Sequence, residues 1–233
     1  MKQSIQKTIV CVSFLLLCQS LLAKTLKDTN DVKQAYFDIV SKYQNNQQLI
    51  QSSWLQVAAL YNDSSRYYHN LQHIANFYNE LLRCKNELEN WDAVFLAMVY
   101  HDVVYVATSR DNEEKSADMA KEHLGAMGFS QPFIDTCYSL IMATKSHKAT
   151  GNNTTNLFID ADMSILGVPL DKYKQYVKQV HAEYAAVPNF AEKRKGFLKH
   201  FLGVDRLFIT PLFYNLYEKS ARYNLQQEIK DFQ

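Results

Sequence analysis

The chain has 233 residues, which is enough for one domain with a sizeable hydrophobic core. Its 25 Lys and Arg residues nearly balance its 24 Asp and Glu residues, so it lacks the basic excess typical of proteins that bind nucleic-acid polymers. Only 6 Gly and 4 Pro residues are present, which argues against a β-sandwich or barrel with many turns and favours long helices.

The N-terminal segment has the composition of a secretory signal peptide. Lys2 and Lys7 give a basic start, an apolar run extends from Ile9 to Leu17, and a short segment then leads to Ala23. We therefore expect a signal peptide over residues 1–23 and an exported domain, periplasmic or secreted, over residues 24–233. The alternative is an uncleaved N-terminal membrane anchor; after cleavage we expect no stable membrane span.

The remainder predicts a succession of helices and almost no strands. We expect one helix from about Asn30 to Asn62 and a second that starts near Ser65. A third, from Trp91 to Val106, is apolar on nearly every side, which is typical of a buried central helix. Later helices are expected over about 113–127, 131–145 and 169–186, with two or three more to the end. The pattern predicts an all-α single domain.

Two cysteines, Cys84 and Cys137, follow the predicted signal peptide. In an oxidising compartment they could pair as a disulfide. They could equally be two small buried hydrophobic side chains.

Three short segments carry side chains able to bind a metal, and the first two contain histidine. His69 and His73 are four residues apart, a spacing that places both imidazoles on one face of a helix. His101 and Asp102 end the most apolar stretch of the chain. Burial of these two groups without partners would be costly, and a bound cation would offset that cost.

The third segment places Asp160 and Asp162 among apolar residues. At this spacing they share a side only if the backbone is extended, whereas on a helix they point to different sides. At most one is therefore expected to be a direct ligand, and the other a cap or a support for the ligands. Imidazole and carboxylate ligands suit Zn²⁺, Mn²⁺, Fe²⁺, Co²⁺ or Ni²⁺. Two histidines and two aspartates would leave positions open for water and substrate, as metal-assisted phosphoester hydrolysis requires.

The order His … His-Asp … Asp resembles the HD superfamily of metal-dependent phosphohydrolases, and most closely a bacterial family of small predicted HD phosphohydrolases. The motifs are YHNLQHI (68–74), YHDVVY (100–105), NEEKSA (112–117), ATKSH (143–147), DADMSILG (160–167), EY (183–184) and AR-x-N (221–224). The pattern is also similar to the catalytic motifs of cyclic-nucleotide phosphodiesterases.

This resemblance implies a single HD-type helical bundle and gives individual residues their roles. The implied metal ligands are His73, His101, Asp102 and Asp162. His69, catalytic together with Asp102, is implied as the general acid that protonates the leaving oxygen; the plainer superfamily alignment makes His69 a ligand instead. The phosphodiesterases have a histidine of their second metal site where this chain has Tyr105, so one divalent metal is favoured over two.

Further residues at family positions are expected around the site. The expected substrate-binding residues are Lys145, His147, Arg194 and Arg222, and the expected supports of the ligands are Asp160 and Glu183. Lys145 could equally face the end of its own helix, and either arginine could instead pair with a buried acid. Asn112 and Glu113 are expected as a helix cap and its first-turn acid, and the histidines without such context, His123, His181 and His200, as surface residues.

We therefore expect an enzyme that hydrolyses a phosphoester of a small molecule, such as a nucleotide or a related metabolite, with one divalent metal (Mn, Fe, Ni, Co or Zn). Its partner is expected to be a small phosphorylated substrate and not a nucleic-acid polymer. One alternative is a non-catalytic HD scaffold that binds a nucleotide or metabolite. The other is an exported helical protein that binds a partner.

Overall fold

The computed structural model describes residues 28–232, and within that range the chain is all-α, as predicted. The predicted signal peptide over residues 1–23 lies outside the described residues. The helices are α1 (28–40), α2 (Gln47–Tyr61), α3 (Leu71–Arg83), α4 (Trp91–Tyr100), α5 (Asn112–Ala126), α6 (Gln131–Thr144), α7 (Asn153–Met163), α8 (Leu170–Glu183), α9 (Phe190–Gly203) and α10 (Pro211–Lys230). Short 3-10 helices cover Lys85–Glu87 and Ser164–Gly167. None of the helices in this range is both long and apolar enough to cross a membrane.

Helix α4 lies at the centre of the fold. Every residue from Ala93 to Tyr100 is buried, and α4 packs against α3, α5 and α6. Asn90 begins the helix, because its side-chain oxygen accepts a hydrogen bond from the Ala93 amide. The prediction of a buried central helix is confirmed, but the helix ends at Tyr100 and not at Val106. The His-Asp pair therefore lies at the C-terminal end of the most buried helix.

The first predicted helix is in fact two helices. Residues 41–46 separate α1 from α2, so the expectation of one helix from Asn30 to Asn62 was wrong. The Gln44 side chain accepts a hydrogen bond from the Asn46 amide at 2.8 Å, and the Asn46 side chain accepts one from the Leu49 amide at 3.1 Å. These polar side chains compete with the helical hydrogen bonds and start a new helix.

Helix α3 begins later than predicted. Asn70 is its N-cap, with its side-chain oxygen accepting a hydrogen bond from the Gln72 amide at 2.9 Å. His69 therefore precedes the helix, and the expectation that His69 and His73 share one helical face was wrong. The two imidazole centroids are nevertheless 5.8 Å apart, because the turn before the cap brings His69 back towards α3.

The link between α7 and α10 explains why two aspartates lie in an apolar segment. The Asp160 carboxylate accepts hydrogen bonds from the Ile209 amide at 2.8 Å and from the Thr210 amide and hydroxyl at 2.6 Å. These groups belong to the two residues that precede α10, so Asp160 fixes the chain where that helix begins, although the cap residue of α10 is Thr210. Asp162 points to another side of α7, as the helical spacing predicts.

Close packing between α10 and the 3-10 helix at Ser164–Gly167 requires a glycine at position 167. A Cβ atom on Gly167 would overlap the Cβ of Tyr217 and lie 2.9 Å from its Cα. Asn224 adds hydrogen bonds from its side-chain amide to the Leu166 and Val168 carbonyls, at 2.9 and 2.8 Å. This contact fixes α10 against the chain that immediately follows Asp162.

Cys84 and Cys137 are both buried and free. Burial raises the pKa of the Cys84 thiol to about 11 and that of the Cys137 thiol to about 12. They are small buried hydrophobic side chains, the second of the two alternatives.

Candidate metal centre

Three helices bring their metal-binding side chains to one point. His73 lies in the first turn of α3, and Asp162 lies in the last turn of α7. His101 and Asp102 directly follow the last residue of α4. The two histidines are buried, and each aspartate is partly buried. His73, His101 and Asp162 form a group that could hold a metal ion, with one ligand atom from each residue within 4.8 Å of the others.

The distances within this group suit a single ion. The two Nε2 atoms of His73 and His101 are 3.1 Å apart, and Asp162 Oδ1 lies 3.4 and 3.6 Å from them. Asp102 Oδ2 lies 3.1 Å from His101 Nε2 and 3.7 Å from His73 Nε2. Ligand distances of about 2.1 Å imply separations of about 3.0–3.4 Å between neighbouring ligand atoms in octahedral or tetrahedral geometry. The observed separations are close to this range.

The hydrogen bond of His101 presents the correct nitrogen. His101 Nδ1 lies 2.8 Å from the Met98 carbonyl, which can only accept, so Nδ1 carries the proton. In the neutral ring Nε2 then holds a lone pair directed at the shared point. Metal-binding histidines typically use their second nitrogen in this way.

The charges at this point also favour a cation. Burial opposes ionisation of Asp102, but the neighbouring His101 outweighs it and lowers the pKa of that carboxyl. Burial likewise opposes ionisation of Asp162, and hydrogen bonds from His147 and His73 outweigh it, so its pKa is well below the usual range. Without metal, burial alone would lower the pKa of His101, but Asp102 and Asp162 together raise it to about 9. Two partly buried carboxylates at one point thus favour a positive charge between them, which a proton or a metal ion supplies.

Arg66 is a buried residue of this site that sequence reasoning missed. Its guanidinium donates hydrogen bonds to the Asp102 and Val103 carbonyls at 2.7 and 2.8 Å, and to the His69 carbonyl at 3.3 Å. It therefore joins the end of α4 to the turn before α3. The polar sequence around Arg66 does not predict that this side chain is buried. Its hydrogen-bond partners are backbone carbonyl groups, which are present in every sequence and therefore leave no recognisable pattern.

His69 lies beside the cluster and is held by Glu183. Its Nδ1 is 2.5 Å from Glu183 Oε2, and its backbone amide donates a hydrogen bond to Glu183 Oε1 at 3.2 Å. Tyr105 stacks on the ring, with centroids 4.1 Å apart and an interplanar angle of 22°. The Tyr105 hydroxyl is 2.5 Å from the Tyr184 hydroxyl. Glu183 thus contacts His69 and not the group of His73, His101 and Asp162.

His147 approaches the cluster from the loop after α6. Its Nε2 lies 3.2 Å from Asp162 Oδ2. Its backbone is in the left-handed region with φ 49°, which costs free energy in a residue other than glycine. Lys145, two residues earlier, is exposed and forms an ion pair with Glu114. Both side chains line the same cavity as the cluster.

The two predicted arginines are paired with acids. Arg194 is buried and donates hydrogen bonds to both carboxylate oxygens of Glu228, at 2.7 and 3.0 Å. Arg222 pairs with Glu218 at 2.7 Å and donates further hydrogen bonds to the Val204 and Asp205 carbonyls. Arg194 borders the cavity, whereas Arg222 is not among the residues that line it. Both arginines are thus paired with an acid, which was the alternative to substrate binding.

Two smaller expectations were wrong. The residue before α5 is Asp111, and Asn112 instead lies in the first turn with its buried side chain bonded to both the amide and the carbonyl of Val106. His123 is half-buried, with Nδ1 3.1 Å from the Tyr100 hydroxyl. His181 and His200 are exposed, as expected.

No protein-family model, no curated protein and no solved structure matches this chain. The cluster opens onto a cavity of about 700 Å³.

Proposed function

We propose that this protein is a metal-dependent phosphohydrolase of the HD superfamily. The observation that supports it most is the pair of facing imidazoles, His73 and His101, 3.1 Å apart with Asp162 beside them, at the wall of a cavity large enough for a small molecule. Buried nitrogen and carboxylate atoms that converge without a cation are costly, and together they form a ligand set typical of divalent transition metals.

His73, His101, Asp102 and Asp162 would hold the metal. When bound there, a divalent ion would lower the pKa of water and draw charge from a phosphoryl oxygen. The chain itself orients these ligands: the Met98 carbonyl fixes the tautomer of His101, and Arg66 fixes the backbone that carries Asp102. His147 holds the second oxygen of Asp162.

His69 is proposed as the general acid rather than as a ligand. Its Nδ1 is engaged by Glu183, and its ring lines the cavity beside the cluster. An imidazole held by a carboxylate on one nitrogen can deliver a proton from the other to the leaving oxygen. This is the role that the resemblance implies for it.

One metal is proposed rather than two. Tyr105 takes the position where the phosphodiesterases have a histidine of their second metal site, and its ring stacks on His69. Its hydroxyl is already paired with Tyr184. A phenol in this arrangement is a poor substitute for an imidazole ligand. The substrate is proposed to be a small phosphorylated molecule, met outside the cytoplasm if residues 1–23 direct export.

The metal content of the purified protein tests this proposal. We expect about one Mn, Fe, Co, Ni or Zn ion per chain by plasma mass spectrometry, and almost none in His101→Ala or Asp162→Ala. The matched control is His200→Ala, which removes an exposed histidine outside the candidate ligand set and should leave the metal content unchanged. The metal-loaded protein should then hydrolyse at least one member of a panel of phosphoesters.

Two results would contradict it in different ways. Protein that stays free of metal after incubation with each of these ions has no metal centre, and the enzyme proposal fails. Protein that binds metal but leaves every phosphoester intact is instead the non-catalytic binding scaffold. His200→Ala that loses metal as fully as His101→Ala would show that the loss reflects general damage.

A further inference from the structure

Two chemically different groups of residues line the cavity beside the cluster. His69, His147 and the candidate metal ligands belong to the polar group. Val187, Pro188 and three phenylalanines of α9 belong to the apolar group. A volume of about 700 Å³ lies within the range typical of sites for small organic ligands, about 300–1,000 Å³. A phosphoester held by the polar group could therefore pack its organic part against the apolar group.

Helix α9 turns a row of phenylalanines towards this cavity. Phe190, Phe197 and Phe201 all line it, and their spacing of seven and four residues places them on one helical face. All three are only half-buried, so their rings retain exposed area within the cavity. Phe197 and Phe201 pack together with centroids 4.3 Å apart, and Phe190 stacks on Tyr184 at 4.9 Å. We call these three residues the phenylalanine face.

Two cations of α9 lie near the phenylalanine face. Arg194 is held by both oxygens of Glu228, and its guanidinium lies 4.8 Å from the centre of the Phe197 ring. Lys193 is exposed and also lines the cavity. Because the charge of Arg194 is already paired, the phenylalanine face itself offers mainly apolar surface, which favours an apolar group of the ligand over a polyhydroxylated one.

His69 indicates that the leaving group lies on this side of the cluster. A second cavity, about 790 Å³ in volume, also reaches His73 and Asp162, and amide side chains such as Asn70, Asn76 and Gln179 line much of it. His69 borders the first cavity and is not among the described residues that line the second. A leaving oxygen that receives a proton from His69 must therefore belong to a group in the first cavity.

We propose that the substrate is a phosphate ester of an apolar alcohol, with an aryl or alkyl group that packs against the phenylalanine face. This inference rests on the proposed phosphohydrolase function and specifies its substrate class. The ester bond that breaks lies between phosphorus and the alcohol oxygen; water adds to phosphorus, and the alcohol leaves with a proton.

Binding of two phosphonates, which cannot be hydrolysed, tests the inference. We would titrate Mn²⁺-loaded protein with benzylphosphonate and with methylphosphonate in a calorimeter, since the two differ only by a phenyl ring. Burial of that ring should make benzylphosphonate bind about tenfold tighter or more. Phe197→Asn and Phe201→Asn should each reduce this ratio several-fold and leave methylphosphonate affinity unchanged.

The matched control, Leu216→Asn, removes an exposed apolar side chain of α10 and should preserve the ratio. Hexylphosphonate, titrated in parallel, distinguishes an alkyl from an aryl preference.

The outcomes separate this inference from the function on which it rests. Equal affinities for the two phosphonates, or a ratio that survives in both phenylalanine variants, would overturn the apolar substrate. Absence of binding by either phosphonate would count against the phosphohydrolase itself. In that case binding of benzyl alcohol tests the apolar site by itself. Binding that is weakened in Phe197→Asn would support the apolar site, and absence of binding would overturn it. Unchanged thermal unfolding of each variant establishes that the effect is local.

Discussion

At the scale of single residues, the role of His69 depends on its neighbours more than on its own position. Glu183 accepts from the amides of Tyr68 and His69 while it engages the imidazole Nδ1. Tyr105 covers one face of the ring. One carboxylate therefore fixes both the backbone and the side chain, and the imidazole keeps one nitrogen available for the proposed proton transfer. In the proposed enzyme Glu183 would be a positioning residue, because it would act through His69.

Glu183→Gln tests this role. The variant keeps the size of the side chain but removes the charge that holds the imidazole, so we expect kcat to fall about tenfold or more with the metal content unchanged. The measurements are steady-state kinetics on the phosphoester found by the panel and plasma mass spectrometry. Glu192→Gln, at an exposed position in the first turn of α9, is the control. Loss of metal in Glu183→Gln would show instead that Glu183 supports the ligands.

At the scale of helices, α7 carries two aspartates with different contacts. Asp162 faces the cluster, whereas Asp160 accepts three hydrogen bonds from the start of α10. Burial raises the pKa of Asp160, and hydrogen bonds from Thr210 and Ile209 partly offset that effect. Asp160 therefore binds the beginning of α10 to the helix that carries Asp162, a candidate metal ligand.

Asp160→Ala should lower the free energy of unfolding by about 2 kcal/mol, because it leaves buried amides at the start of α10 without acceptors. Urea unfolding measures this change. Asp171→Ala removes an exposed aspartate from the first turn of α8 and should cost less than about 1 kcal/mol. The metal content of Asp160→Ala should match that of the unchanged protein. An unaltered unfolding midpoint together with lost metal would place Asp160 at the metal centre instead.

At the scale of the whole molecule, a buried polar network joins the last three helices. Glu228 of α10 binds Arg194 of α9 and accepts a hydrogen bond from the hydroxyl of Tyr173 of α8. Arg194 also donates to the hydroxyl of Tyr176 at 3.3 Å. The network fixes α9 relative to α8 and α10. It therefore holds the phenylalanine face at its distance from the cluster.

Glu228→Leu should lower the free energy of unfolding by about 3–5 kcal/mol, because it leaves the Arg194 guanidinium buried without its counter-charge. The double variant Arg194→Met/Glu228→Leu removes both charges and should recover most of that loss. Urea unfolding of the two variants measures the difference. A double variant as unstable as the single one would show that packing, and not the unpaired charge, accounts for the cost.

Much of the fold and part of the site could be predicted from local pattern. The all-α class and the buried α4 follow from the spacing of apolar residues, which each segment displays without its neighbours. On a helix, the spacing of Asp160 and Asp162 allows only one of them to reach a shared site, and the structure makes that segment a helix. Three of the four predicted ligands, His73, His101 and Asp162, form the group that could hold a metal.

Helix ends and the use of each polar side chain were decided by the tertiary structure. Asn70 ends the turn that places His69 beside the cluster. Arg194 meets an acid 34 residues away. The sequence by itself determined the all-α class, the buried α4 and the segments that carry groups able to bind a metal, since apolar periodicity and residue type are local. Only the tertiary structure decided which of those groups share a charge, a hydrogen bond or a cavity, because electrostatic and hydrogen-bond partners depend on distance in space.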